Sequence, residues 1–239
     1  MKRRILSTII ISAIVLVTSL CFALGYSVSA ADDSYIDISS ESQLSAMSES
    51  GNYRLVADIT VSGWKTVDSF SGKLDGNGKS ISGLTAPLFS VVSGEISDLT
   101  LKGSIDISGE RETGAFAEKL SGGKLAGCVS YVQMSGSRAA SALSIGGLVG
   151  TADNGAVIED CVNNGDITIT GAYNEENGNA MGAVVGYVKT GCTVSGCVNN
   201  GTIFADGNGN TSEYRGALSG IVGIANGSVT IEKIGRAHV

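Results

Sequence analysis

This chain repeats itself, and that limits its folds more than any other feature. Gly147 to Ile167 (GLVGTADNGAVIEDCVNNGDI) and Ala183 to Ile203 (AVVGYVKTGCTVSGCVNNGTI) align throughout at a spacing of 36 residues, and Gly220 to Ile231 (GIVGIANGSVTI) opens a further copy. A unit this small cannot bury an apolar face alone, so the period predicts a solenoid whose stacked units share one core. Each unit reads as one turn of a coil. A small-residue GxVG step leads into a short apolar strand, and in the two complete units Cys-Val-Asn-Asn-Gly and an isoleucine follow at fixed offsets. Gly114 to Cys128 is a degenerate copy and Pro87 to Ile105 a more distant one. With 34 glycines, a single proline and few aromatics, the composition suits short stacked strands joined by turns better than helices. The expected class is all-β, a parallel β-helix with the right-handed crossovers that parallel strands prefer.

The first residues belong to targeting. Met1-Lys2-Arg3-Arg4, the apolar run Ile5 to Leu24 and Ser27-Val28-Ser29-Ala30 form the basic, apolar and small-residue regions of a secretory signal peptide cut after Ala30. The run is also long enough to stay as an uncleaved anchor; Leu20 before Cys21 argues against lipoprotein acylation. Ile234 to Val239 (IGRAHV) departs from the repeat, reads as translated sequencing adapter and is set aside with His238, so the natural protein is expected to be longer. The remaining chain holds 12 basic and 23 acidic residues, a net charge of −11. Such a chain repels nucleic acid and anionic lipid.

Ahead of the coils, Ser40-Glu41-Ser42-Gln43 is a capping-box pattern that predicts a short helix from about Glu41 to Ser48. Tyr53 to Ile59 alternates as a strand should. Residues 31–60 are therefore expected to cap the open end of the solenoid formed by residues 61–233.

Cys128, Cys161 and Cys197 recur at one place in successive units, and coils stacked about 4.8 Å apart would set them one above another. A ladder of buried thiols is the favoured reading; that spacing also admits a disulfide, and a metal site is a further alternative. Asn163 and Asn164, with Asn199 and Asn200, occupy a bend where amides of neighbouring coils stack. These residues read as a structural ladder.

The order of "L..M…G.YRL.ADI", "F.G.LDGNG..ISGL", "LF..V.G.I.DLTL.GSI" and repeated "GGLVG…I..C.N.G.I" resembles secreted bacterial proteins that carry the GLUG motif, with Gly147 to Gly150 the closest match. The resemblance spans nearly all of the mature chain. It implies a pectin-lyase-like right-handed β-helix on the surface of Gram-positive gut bacteria, in proteins of differing function that include large surface peptidases.

The units vary in length just before each GxVG step, at Ser108 to Thr113, Ser135 to Ile145, Gly171 to Met181 and Asp206 to Leu218. Insertions at equivalent places project from one side of a solenoid, often its binding side. They carry Arg111, Arg138, Tyr173 and Asn174, then Glu175, Glu176, Glu213, Tyr214 and Arg215, planar and charged groups suited to a sugar or peptide surface. Calcium is the one cofactor left open, at Asp206 to Asn210; Asp75 to Gly78 reads as a tight turn instead. No catalytic residue is assigned: the sequence has no HExxH motif or P-loop, and without a genuine histidine no Ser/His/Asp or Cys/His site. Glu112, Glu175, Glu176 and Glu213 lie in no motif that fixes a glycosidase pair or a lyase site. The sequence thus points to a secreted or surface-attached monomeric β-helix that binds or spaces, its partners an extracellular glycan or surface protein. A polysaccharide lyase, a glycoside hydrolase or the accessory region of a surface peptidase is the alternative.

Overall fold

The computed structural model describes residues 34–107, 112–137, 144–170, 180–206 and 217–235. The chain forms two units, residues 1–34 and 35–239, and every described element belongs to the second. Among the described residues no helix is long and apolar enough to cross a membrane; the expected signal segment lies outside them.

The second unit is a parallel β-helix. One coil runs through Ala117–Ser121, Lys124–Ala126 and Val129–Ser137, and the next repeats the path through Val149–Asp153, Val157–Glu159, Val162–Asn163 and Ile167–Thr170. Stacked coils build three parallel sheets: sheet 1 from Val67–Phe70 to Val222–Ala225, sheet 2 from Ile36–Ile38 to Thr230–Glu232, and sheet 3 from Ile59–Thr60 to Ile203–Asp206. Alternation sends every second side chain inward, so equivalent positions form columns. In sheet 2, Leu74, Ile96, Leu125, Ile158 and Val194 pair in succession and are each at most 1% exposed. Phe70 and Phe89 stack inside the early coils with ring centroids 4.9 Å apart.

The N-terminal helix is Glu41–Ser45, shorter than its sequence pattern suggests. Its start is capped: the Ser40 hydroxyl accepts from the Gln43 amide, and Gln43 Oε1 accepts from the Ser39 amide at 2.9 Å. It stops early because the Ser48 amide donates to the Tyr53 hydroxyl at 2.7 Å instead of continuing the helix. Leu44 is fully buried beneath it. The strand expected over residues 53–59 is two, Asn52–Leu55 in sheet 2 and Ile59–Thr60 in sheet 3, because the chain turns a corner between them.

The corner from sheet 2 to sheet 3 has its own ladder. Asp98, Gly127, Asp160, Gly196 and Lys233 occupy one place in successive coils, and all have φ between 48° and 65°. Aspartate tolerates this left-handed backbone better than most residues, and glycine takes it freely. The alternation has a steric cause as well: a Cβ at Gly127 would lie 2.6 Å from Asp98 Oδ1, and one at Gly196 would strike Asp160 Oδ1.

The residue after the first four corners is Leu99, Cys128, Cys161 or Cys197, every one buried, and Ile234 after Lys233 is half-buried. Cys128, Cys161, Cys192 and Cys197 are free thiols. Cys161 donates to the Glu159 carbonyl at 3.1 Å and Cys197 to the Ser195 carbonyl at 3.4 Å. Hydrogen bonding to Cys128, together with burial, pushes the Cys161 thiol up; hydrogen bonding to Cys161 and burial do the same to Cys197. Only the thiolate reacts readily. Ellman's reagent is therefore expected to leave all four thiols untouched in the folded chain beginning at Ala31 and to titrate all four in denaturant. Rapid modification of any of them before unfolding would show that the core is open.

Candidate functional site

Sheet 4, absent from the sequence reading, gives the GxVG step its purpose. It comprises Glu112–Thr113, Ser144–Gly146, Ala180–Gly182 and Ala217–Ser219, paired in parallel. After each strand the chain turns within two or three residues and enters sheet 1. Phe116, Leu148, Val184 and Ile221 plug the core at these turns, 0–6% exposed. Sheet 4 thus folds back over the outer face of sheet 1, and glycine sets how closely. A Cβ at Gly150 would lie 2.7 Å from the Thr113 nitrogen and 3.1 Å from the Ser144 oxygen; one at Gly186 would lie 2.5 Å from the Ile145 nitrogen. A Cβ at Gly147 would lie 2.6 Å from Asn163 Oδ1. The first motif glycine therefore leaves room for an internal amide, and the last leaves room for a second wall.

This corrects the extent of the variable insertions. Their closing residues, Glu112–Thr113, Ser144–Ile145, Ala180–Met181 and Ala217–Leu218, are strands of sheet 4, and Ser135 to Ser137 belong to sheet 3. The insertions connect sheet 3 to sheet 4. Their departure points stack through Ser135 with Asp106, Ser137 with Thr170 and Thr170 with Asp206, and their return points through Glu112, Ser144, Ala180 and Ala217. Arg111, Arg138, Tyr173, Asn174, Glu175 and Glu176 lie outside the described residues, as do Glu213, Tyr214 and Arg215. Of the Asp206 to Asn210 segment only the backbone of Asp206 lies within them.

The amide ladders lie on the bend inside sheet 3. Asn163 and Asn199 are fully buried. Asn163 Nδ2 donates to the Gly165 carbonyl at 2.8 Å and to Asn199 Oδ1 at 3.0 Å, while Asn163 Oδ1 accepts from the Gly165 amide. Asn199 holds Gly201 in the same way. Asn164 and Asn200 point outward, and Asn200 Nδ2 donates to Asn164 Oδ1 at 2.9 Å.

Among the described residues, a group of three charges sits at the exit of sheet 1. Asp153 Oδ2 meets Lys119 Nζ at 2.8 Å and Lys189 Nζ at 3.6 Å, joining three consecutive coils. Burial works to raise the Asp153 pKa, but the Lys119 ammonium and the Ser121 hydroxyl outweigh it and hold the carboxyl below its usual value. The hydrogen bond to Asp153 raises Lys119 in turn. Both groups stay charged across the neutral range, so neither is poised to exchange a proton with a substrate. They act as an ion bridge between coils. Because the folded-state pKa of Asp153 is depressed, its contribution is present above the unfolded value of about 3.9 and is lost as pH falls through the folded one. Asp153→Asn is expected to flatten the fall of the urea midpoint below about pH 4; an unchanged acid branch would show that the bridge adds nothing.

A cavity of about 460 Å³ lies near the N-terminal helix, lined in part by Glu41, Trp64, Lys65 and Asp68. Two of its polar groups are already engaged. Glu41 Oε1 accepts from the Ser62 amide, and the buried Trp64 ring donates to the Pro87 carbonyl. Among the described residues no group of three or more histidine, cysteine, aspartate or glutamate side chains could hold a metal ion.

Residues 141–170 match the GLUG motif. The chain carries this motif on the coil whose glycines seat sheet 4 and the Asn163 amide. Ahead of it, residues 27–136 match the N-terminal region of M26 IgA1-specific metallo-endopeptidases. No curated protein matches the chain. Among solved structures, a candidate immunoglobulin A1 protease from Bacteroides ovatus is 16% identical, with a TM-score of 0.50, over 83% of this chain and 84% of that one. At that identity the likeness is one of fold. An IgA1 protease is 18% identical with a TM-score of 0.49, and the match covers 88% of this chain but 21% of that one.

Proposed function

We propose that this GLUG-motif β-helix is an accessory region of a larger secreted or cell-surface protein of the M26 peptidase kind, one that spaces and contacts rather than cleaves. The observation that carries the reading is the match of residues 27–136 to the N-terminal region of those metallo-endopeptidases. Two features support a non-catalytic role: the sequence contains no HExxH motif, and the strongest described cluster of titratable groups is locked in its charged forms. The four insertions leave and return on a common side, so extracellular glycan or protein would be met through residues such as Tyr173 and Tyr214.

Two assays test the reading. Purified residues 31–235 are expected to leave immunoglobulin A1 intact with or without added zinc, and cleavage by this region alone would overturn it. A glycan and surface-protein array would locate the contact. If every ligand bound on the array is still bound after Tyr173→Ala and Tyr214→Ala together, the insertions are no part of the contact.

A further inference from the structure

The outward faces of the solenoid differ in chemistry. Sheet 2 is charged: Arg54 meets Asp75 at 2.8 Å and Lys124 meets Glu159 at 2.6 Å. Sheet 1 is partly overlaid by sheet 4. From Thr100 onward sheet 3 is different, with Ser104 beside Gln133 and Ser135 beside Thr168, and with the outer pair Asn164 and Asn200 on the bend. Its charged residues there are Lys102, Asp106, Asp166 and Asp206, one cation against three carboxylates, so no basic patch lies on it.

Two aromatic rings stand on this face. Tyr131 is 48% exposed and Phe204 is 50% exposed, and both are in strands of the rigid wall rather than in loops. The register places Tyr131 level with Asn164 and Phe204 level with Thr168. The rings are two coils and four strand positions apart, roughly 16 Å, with amide and hydroxyl groups between them and, at the midpoint, the Asp166 carboxylate, which accepts from the Thr202 amide at 2.7 Å.

We propose that the outer face of sheet 3 binds an uncharged, extended polysaccharide chain. Tyr131 and Phe204 would stack on the C–H faces of two sugar rings. The intervening Asn164, Asn200 and Gln133 would take sugar hydroxyls, since an amide both donates and accepts without fixed charge. The Asn200-to-Asn164 bond leaves the Asn164 amide nitrogen and the Asn200 amide oxygen for a ligand. A protein partner fits less well, because protein interfaces cluster their aromatic anchors in a desolvated centre whereas these rings are separated by polar groups. An anionic glycan is disfavoured by the acidic chain. The proposal goes beyond the accessory-region reading and uses none of the insertion residues.

Affinity electrophoresis of residues 31–235 through gels containing neutral glucans, mannan, galactan or xylan tests it, with polygalacturonate and heparin as anionic counterparts. At least one neutral polymer is expected to retard the chain, little affected by salt. Tyr131→Ala and Phe204→Ala should each weaken retardation roughly fivefold, Tyr131→Phe should keep it, and the Tyr173→Ala, Tyr214→Ala double variant should be unaffected. Retardation by anionic polymers alone, by no polymer, or equally in the Tyr131→Ala, Phe204→Ala double variant would overturn the proposal. Cleavage of immunoglobulin A1 would instead count against the accessory-region reading and leave this one standing.

Discussion

Gly150→Val is expected to lower the unfolding free energy by about 3 kcal/mol or more. Gly150 does not adopt a positive φ, so the cost is not conformational freedom but space. A Cβ there would lie 2.5 Å from the Glu118 carbonyl oxygen and 2.7 Å from the Thr113 nitrogen. Both are backbone atoms, which cannot rotate aside as the end of a long side chain would. Sheet 4 must lift, and Ile145 and Met181, both fully buried, would then meet water. Urea unfolding should show the lost stability, and a hydrophobic dye should bind the native variant but not the parent. Ser135→Val on the exposed face of sheet 3 places the same side chain where there is room, and should stay within about 0.5 kcal/mol. If the two variants behave alike, sheet 4 does not lie on sheet 1.

The same glycines show what the sequence could reveal. The repeat period, the inward columns and the short N-terminal helix were legible, because each is a pattern of apolar or capping residues along one chain. Sheet 4 was not, since Ser144–Gly146 and Ala180–Gly182 follow insertions of unequal length and alternate too briefly to signal a strand. A second signal was present but unread: the place before each core Leu or Cys holds Asp98, Gly127, Asp160 or Gly196, the residue types that accept a left-handed corner. The insertions themselves offered Tyr173, Tyr214 and their charged neighbours on composition alone. The exposed rings of Tyr131 and Phe204 look unremarkable in sequence, because one strand pattern cannot show that neighbouring coils set Asn164, Asn200 and Gln133 between them.

Asn163→Ala is expected to cost about 3 kcal/mol, far more than removal of an exposed amide. The buried side chain closes a local ring by giving to the Gly165 carbonyl and taking from the Gly165 amide, and it reaches the next coil through Asn199 Oδ1. Truncation strands the Gly165 carbonyl and amide in the core and takes one of two donors from Asn199 Oδ1, which still accepts from the Gly201 amide; each unsatisfied buried polar group costs about 1–3 kcal/mol less whatever water enters the space. Asn164→Ala removes the outward bond to Asn200 where solvent replaces it, and should change stability by no more than about 0.5 kcal/mol. A double-mutant cycle between Asn163→Ala and Asn199→Ala separates the ladder from its two local rings: the cross-coil bond should appear as a coupling of about 1 kcal/mol. Strict additivity would mean that each amide serves only its own bend. The coupling has a structural consequence. A slip of one residue between coils would put Asn163 opposite Val198 or Asn200 and break its bond to Asn199 in the core, so the inner ladder favours the register on which the Gly147 gap, the sheet 4 seat and the spacing of Tyr131 and Phe204 all depend.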